Sequence, residues 1–69
     1  MTIKNFINTF TKGICHIYEL NDGDDAFFWN CFTFWDGEWC TDGYEAVLDK
    51  TIIRSYINSN KQLCLEVLR

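Results

Sequence analysis

Three Asp-Gly pairs divide the middle of the chain into short segments. They lie at Asp22-Gly23, Asp36-Gly37 and Asp42-Gly43. Asp-Gly dipeptides reverse the chain in tight hairpin turns, because Gly, and to a lesser degree Asp, accepts the positive φ angles that such turns require. The runs between the pairs are rich in β-branched and aromatic residues, which is typical of strands. This part of the chain is therefore predicted to form short strands joined by hairpins.

The first three strands follow from the positions of these turns. Ile14–Leu20 and Ala26–Trp35 are predicted to pair through a loop over residues 21–25. Asp36-Gly37 then turns the second strand back into a third strand, Glu38–Thr41. The result is a three-stranded antiparallel meander.

The register of the first hairpin can be estimated by centring its loop on Gly23. This places Ile17 opposite Trp29 and Cys15 opposite Cys31. Facing cysteines would permit a disulfide or metal binding, but reduced structural cysteines are the favoured interpretation for an intracellular chain.

Residues 2–12 have the periodicity of an amphipathic helix. Thr2 is a predicted N-cap, and Gly13 is a predicted stop after the last turn. The apolar positions, spaced i, i+3, i+4 and i+7, are Ile3, Phe6, Ile7 and Phe10.

The last third of the chain permits two interpretations. Tyr44–Asn58 could form a helix, because apolar residues recur every four positions. The β-branched run Thr51–Ile57 and the alternation over 63–67 favour a hairpin instead, preceded by a single helical turn at 44–48. A five-residue loop then places Arg54 beside Glu66 across the strands. We adopt the hairpin.

These elements predict one α+β domain over residues 1–69, with the N-terminal helix packed on an antiparallel sheet of four to five strands. A chain of this length buries only about 60% of the surface that its unfolded form exposes. Yet 48% of its residues are hydrophobic and 17% are aromatic. We therefore expect the surplus apolar surface to be covered by a protein partner or by a second copy in a homodimer.

The order of these elements carries a general resemblance. A short helix, an aromatic hairpin, the segment Tyr44-Glu45-Ala46-Val47-Leu48-Asp49-Lys50 and a closing Ile/Leu-rich hairpin resemble small acidic α+β proteins of phages and mobile elements. That class includes anti-CRISPR and anti-restriction proteins that inhibit nucleic-acid enzymes by imitating DNA. The resemblance implies an inhibitor of a host defence enzyme and transfers no specific site residue.

Acidic and aromatic residues are concentrated in the same central stretch. Nine of the ten acidic residues lie between Gly13 and Asp49, where there is no Lys or Arg. A protein that imitates DNA needs carboxylates without cations among them, and exposed Trp side chains commonly dominate binding interfaces. The candidate partner-binding residues are Asp22, Asp24, Asp25, Trp29, Trp35, Asp36, Glu38 and Trp39.

The acidic residues also have a purely structural interpretation as solvated turn residues. The predicted topology places Asp22, Asp24, Asp25 and Asp42 at one end of the sheet, and Asp36 and Glu38 at the other. Two acidic poles flanking an aromatic face are therefore favoured over one continuous acidic stripe.

Several function classes are disfavoured. Cys15 and His16 are adjacent on a strand and point to opposite faces, so they do not form a nucleophile–base pair. No other catalytic set, metal-ligand spacing or cofactor motif is present in the sequence, so we expect no enzyme activity, no metal and no cofactor. A net charge of −4 opposes direct binding to nucleic acid. No signal peptide or membrane-spanning run is recognised, so a cytoplasmic location is expected.

The sequence therefore predicts a small intracellular binding protein. Its expected role is that of a phage or mobile-element inhibitor that blocks a nuclease or another nucleic-acid-handling defence enzyme. A structural homo-oligomer is one alternative, in which the aromatic rings form the seam. A protein that binds a small ligand or nucleotide through stacked rings and carboxylates is another.

Overall fold

A computed structural model describes residues 1–9, 12–20 and 28–68 of the chain, with the backbone alone at positions 28 and 29. The fold is α+β and contains a five-stranded mixed sheet and a short N-terminal helix. The elements are α1 (Ile3–Ile7), β1 (Ile14–Leu20), β2 (Phe28–Trp35), β3 (Glu38–Trp39), a 3₁₀ turn (Tyr44–Val47), β4 (Arg54–Ile57) and β5 (Leu63–Leu68).

The strands lie in the order β3-β2-β1-β5-β4. Neighbouring strands are antiparallel except for β1 and β5, which run parallel. The prediction of an entirely antiparallel sheet was therefore wrong at this junction. The hairpin of β2 and β3 occupies one side of β1, and the C-terminal hairpin extends the sheet on the other side. Its last strand, β5, then lies inside the sheet, where strands are commonly buried on both faces, and residues 64–67 are all buried.

The register between β1 and β2 differs from the prediction. Cys15 pairs with Phe34 and Ile17 with Phe32, so Cys15 does not face Cys31. The observed register is shifted by three residues from the predicted one. Because three is odd, each side chain of β2 points to the face opposite to the predicted one. The observed register brings two Phe side chains into the core. Trp29 is the extra residue of a bulge near the end of β1, where Glu19 pairs with Asn30 and Leu20 with Phe28.

The helix begins as predicted and ends early. The Thr2 hydroxyl accepts a hydrogen bond from the Asn5 N–H at 3.2 Å, which confirms the N-cap. The helix ends at Ile7 with Asn8 as its C-cap, so an extension to residue 12 with a stop at Gly13 was wrong. Gly13 uses its φ of 91° just before β1 instead. Phe10 lies outside the described residues.

The N-terminal segment is joined to the chain that precedes β4 by backbone hydrogen bonds. The Ile3 N–H donates to the Lys50 carbonyl at 3.0 Å, and the Lys4 N–H donates to the Leu48 carbonyl at 2.9 Å. These N–H groups belong to the first helical turn, where no partner exists within the helix. The first turn is therefore fixed by the rest of the fold, which explains why a helix of five residues forms at all.

The C-terminal hairpin is confirmed in its register. Arg54 pairs with Glu66 and Ile57 with Leu63, and the Arg54 Nη1 atom lies 3.7 Å from the Glu66 Oε1 atom. The Asn58 side chain closes the turn by accepting hydrogen bonds from the N–H groups of Asn60 and Gln62, each at 2.9 Å. The predicted single helical turn is present as the 3₁₀ turn, and a long helix over 44–58 was wrong.

The third strand is shorter than predicted. It ends at Trp39, and the Cys40 N–H then donates to the Thr33 carbonyl at 2.8 Å. The Thr41 hydroxyl accepts from the Thr33 N–H at 3.1 Å. Thr41 therefore accepts this hydrogen bond with its side chain, where a residue of a regular strand would accept it with its backbone carbonyl. The chain then turns at Gly43, which brings the 3₁₀ turn against the core. Asp42 was predicted to lie at the end of a third strand that reaches Thr41, but the strand ends at Trp39, three residues before Asp42.

The core lies on one side of the sheet. The helix and the 3₁₀ turn each contribute one buried residue, and the strands contribute the others. Partly buried Phe6, Ile7, Tyr44 and Leu48 pack against this cluster. Its buried residues are Ile3, Cys15, Ile17, Phe32, Phe34, Val47, Leu65 and Val67. Among the described residues, the helices are too short to cross a bilayer.

We predict that Ile17→Ala lowers the free energy of unfolding by about 2–5 kcal/mol, because it leaves a cavity in the core beneath the central strand β1. Chemical denaturation followed by circular dichroism measures this change. Ile53→Ala is the matched control, since Ile53 is 51% exposed and its truncation should cost less than about 1 kcal/mol. Equal losses for the two variants would contradict the assignment of the core.

Candidate interaction face

The two faces of the sheet are differently covered. Cys15 and Ile17 point into the core, so the alternate β1 residues, His16 and Tyr18, point to the opposite side. We call this side the open face, because the described helical residues pack on the core side. The open face is formed by Ile14, His16, Tyr18, Cys31, Thr33, Trp35, Glu38, Arg54, Tyr56, Cys64 and Glu66.

A chain of hydrogen bonds crosses the open face at His16. The His16 Nδ1 atom lies 3.1 Å from the Thr33 hydroxyl on β2, and its Nε2 atom lies 3.1 Å from the Gln62 Oε1 atom beside β5. The Asn58 amide also donates to Gln62 Oε1, at 3.2 Å. Both nitrogens of His16 are therefore occupied, and the ring connects three segments of the sheet. This geometry supports the structural interpretation of the histidine.

Arg54 and Glu66 form the charged part of the open face. The Arg54 guanidinium lies 4.7 Å from the centre of the Tyr56 ring, in addition to its contact with Glu66. Glu66 is buried, with 7% of its surface exposed. Burial, followed by the neighbouring Glu66 carboxylate, raises the pKa of Tyr56. The positive charge at this position is therefore matched within the chain.

Tyr18 and two cysteines form a second cluster on this face. Burial, followed by the neighbouring thiols of Cys31 and Cys64, raises the pKa of Tyr18 from 10.0 to about 12. Cys31 is an exposed residue whose thiol is partly desolvated, and this desolvation, followed by the Cys64 thiol, raises the pKa of Cys31. Tyr and Cys side chains are already uncharged at neutral pH, and these upward shifts reinforce that state, so this cluster is polar without being ionised.

The cysteines are free thiols. On the core side, burial, followed by the Cys64 thiol, raises the pKa of Cys15 from 9.0 to about 12. Within the described ranges, no three His, Cys, Asp or Glu side chains converge in a way that would hold a metal ion.

Three of the eight candidate residues meet at one corner of the sheet. Trp35 pairs with Ile14 on β1 and with Glu38 on β3, and Asp36 follows in the turn. Trp35 is 57% exposed, which is unusual for the largest apolar side chain. We call these four residues, Ile14, Trp35, Asp36 and Glu38, the Trp35 corner.

Asp36 has a structural role at this corner. Its carboxylate accepts a hydrogen bond from the Gly13 N–H at 2.9 Å, and its own N–H donates to the Gly13 carbonyl at 2.9 Å. Its φ of 49° and that of 89° at Gly37 are those of a type I′ hairpin turn, as the Asp-Gly pair predicts. The side chain therefore joins the start of β1 to the turn between β2 and β3.

Trp39 does not belong to the Trp35 corner. It pairs with Phe34 and therefore points to the core side. Its ring stacks on Tyr44, with centroids 4.7 Å apart and an angle of 4°, and meets Phe34 edge-on at 5.2 Å. Trp35 and Trp39 therefore do not form one contact patch. The two-residue turn pairs Trp35 with Glu38 and Phe34 with Trp39, so the two Trp residues lie on opposite faces of the sheet.

The remaining candidates lie outside the described side chains. Asp22, Asp24 and Asp25 fall in the loop between β1 and β2, outside the described residues, and Trp29 is described by its backbone alone. Sequence reasoning also missed Tyr18 and Tyr56 as parts of the open face. The alternation of Tyr18 with the core residues of β1, and the pairing of Tyr56 across the C-terminal hairpin, were the signals that could have identified them.

The chain matches no protein-family model, no curated protein and no solved structure. In the described part of the chain, the surface contains no pocket. The arrangement of the open face and of the Trp35 corner is therefore the basis for proposing a function.

We predict that Asp36→Ala lowers the free energy of unfolding by about 1–2 kcal/mol, because it removes a hydrogen bond and leaves Ala at a positive φ angle. Asp36→Asn is the matched control, since Asn keeps an acceptor and tolerates this backbone conformation. Thermal denaturation measures both variants. A loss for Asn as large as that for Ala would show that the carboxylate charge, and not the turn, is what matters.

We predict that stability falls as the pH rises from about 9 to 12. The raised pKa values of Cys15 and Tyr18, each about 12, mean that the folded chain retains protons that the unfolded chain releases. Their contribution is complete below the ordinary pKa values and is lost as the pH rises through the raised ones. Denaturant titrations across this range measure the slope, which Tyr18→Phe should reduce. An unchanged slope in this variant would contradict the burial of the Tyr18 hydroxyl.

Proposed function

We propose that this protein is a small binding protein whose open face holds a protein partner, with Trp35 at the centre of the contact. The observation that supports this proposal is the exposure of Trp35 on the side of the sheet away from the described helices. A Trp side chain contributes a large area and a polar N–H group, and such residues commonly dominate protein interfaces. Ile14 beside it provides a second apolar contact.

The charge around Trp35 suggests the kind of partner. Asp36 and Glu38 flank the ring, and the chain has a net charge of −4. A partner with a basic surface around an apolar pocket would be complementary to this corner. Nucleic-acid-handling enzymes have such surfaces, since they bind phosphates. We therefore propose an inhibitor of a nuclease or a related defence enzyme, of the kind that phages and mobile elements encode.

The roles of the residues at the corner differ under this proposal. Trp35 supplies most of the binding energy, because its ring becomes buried in the contact. Glu38 is exposed and supplies charge that guides the partner and selects among partners. Asp36 already binds Gly13, so it contributes mainly by fixing the turn that presents its neighbours.

We predict that the protein inhibits DNA cleavage by at least one enzyme in a panel of purified restriction and CRISPR nucleases. Trp35→Ala should weaken this inhibition by about 30-fold or more, the loss expected for a dominant interface residue. Glu38→Gln should weaken it less and make it less sensitive to added salt. Cleavage assays at several salt concentrations measure these effects.

The matched control for Glu38 is Glu45→Gln, since Glu45 is an exposed acid on the 3₁₀ turn and lies on the core side. It should inhibit as the unchanged protein does. If Trp35→Ala inhibits fully, the Trp35 corner is not the contact. If no enzyme of the panel is inhibited, the proposal of a nuclease inhibitor is wrong.

A further inference from the structure

Strand β4 forms an edge of the sheet that the described residues leave uncovered. It is the last strand in the order β3-β2-β1-β5-β4. Ile53 and Ile57 flank this edge and are 51% and 62% exposed. The opposite edge, β3, is only two residues long and lies beside an acidic turn, which is how proteins prevent edge pairing. Edge β4 is longer, with four residues, and its only charged residue, Arg54, contacts Glu66 and Tyr56 within the chain; it contains no Pro.

The hydrogen bonds of the C-terminal hairpin show which backbone groups of β4 point outward. The Asn58 N–H donates to the Gln62 carbonyl at 3.0 Å, so these residues form a hydrogen-bonded pair. Such pairs alternate along antiparallel strands. The backbone groups of Arg54 and Tyr56 therefore point to β5, and those of Ser55 and Ile57 point away from the sheet. Each of these two residues presents one N–H and one carbonyl.

We propose that a second copy of this chain pairs with β4 in antiparallel orientation, forming a homodimer with a continuous ten-stranded sheet. Placing Tyr56 on the two-fold axis sets Ser55 opposite Ile57 of the second copy. Each such pair exchanges two backbone hydrogen bonds, and symmetry repeats it. In this register, every outward N–H and carbonyl group of Ser55 and Ile57 forms a hydrogen bond with the second copy. Few other registers pair all of these groups.

The side chains are compatible with this register. Arg54 faces Asn58 of the second copy, so no like charges are opposed. Ile57 lies opposite Ser55 of the second copy, which covers part of its exposed side chain. The Tyr56 rings meet at the axis, where aromatic cross-strand pairs are favourable. Because the contact is the same on both copies, it closes as a dimer and does not extend into fibres.

This inference is independent of the proposed nuclease inhibition. The Trp35 corner lies on β2, three strands from β4 and thus about 14 Å from the edge. The dimer leaves that corner accessible. Trp35→Ala should therefore remain dimeric, whereas disruption of β4 pairing should not remove the Trp35 contact.

Light scattering with size-exclusion chromatography tests the proposal. The chain has a mass of 8.2 kDa, so a dimer has twice that mass. Ser55→Pro removes an outward N–H and leaves the pairing with β5 intact, and we expect it to weaken dimerisation by about 30-fold, from two lost hydrogen bonds. Ser55→Thr, which keeps the N–H, should remain dimeric. The proposal would be overturned if the unchanged protein is a monomer at concentrations on the order of 100 μM. It would also be overturned if the Ser55→Pro variant folds and dimerises as strongly as the unchanged protein.

Crosslinking covers the case in which Ser55→Pro does not fold. Tyr56→Cys, with Cys31→Ser and Cys40→Ser to remove the exposed native thiols, should form a disulfide-linked dimer under mild oxidation, because paired residues on the axis lie within disulfide reach. Ser59→Cys in the same background is the control and should not crosslink, since it lies far from the axis. Equal crosslinking of both variants would also overturn the proposal.

Discussion

The fold depends on one row of apolar side chains across the middle of the sheet. Ile17 on β1 lies between Phe32 on β2 and Leu65 on β5, and all three are buried. Because β1 pairs on both sides, this row sets the register of two interfaces at once. It also gives α1 and the 3₁₀ turn a surface on which Ile3 and Val47 become buried.

The open face is a consequence of the same row. Once Ile17 points into the core, strand alternation turns His16 and Tyr18 to the other side, together with Thr33, Glu66 and Trp35. The polar groups at the centre of this face bind one another across strands, although none of the described helical residues covers them. At its corner, Trp35 has no comparable partner layer in the described part of the chain. The contrast between a satisfied centre and an exposed apolar corner is what suggests binding.

Local features of the fold could be predicted from the sequence, and distant pairings could not. Thr2 as N-cap, the Asp36-Gly37 turn and the Arg54–Glu66 pairing each depend on a few neighbouring residues. The register of β1 with β2 depends on a long loop that permits several offsets, and an odd offset reverses every side chain of β2. The side on which Trp39 lies follows from that choice. The early end of α1 and the parallel pairing of β1 with β5 arise from tertiary contacts that no local pattern contains.

The parallel pairing of β1 with β5 has a consequence for how the chain reaches this fold. The central strand precedes the other strands along the described chain, and one of its two neighbours is the last of them. Half of the pairing of β1 must therefore wait until β5 has left the ribosome. Such long-range contacts slow folding relative to local ones. Until that moment, the aromatic hairpin of β2 and β3 exposes an apolar surface, which makes nascent chains a target for chaperones.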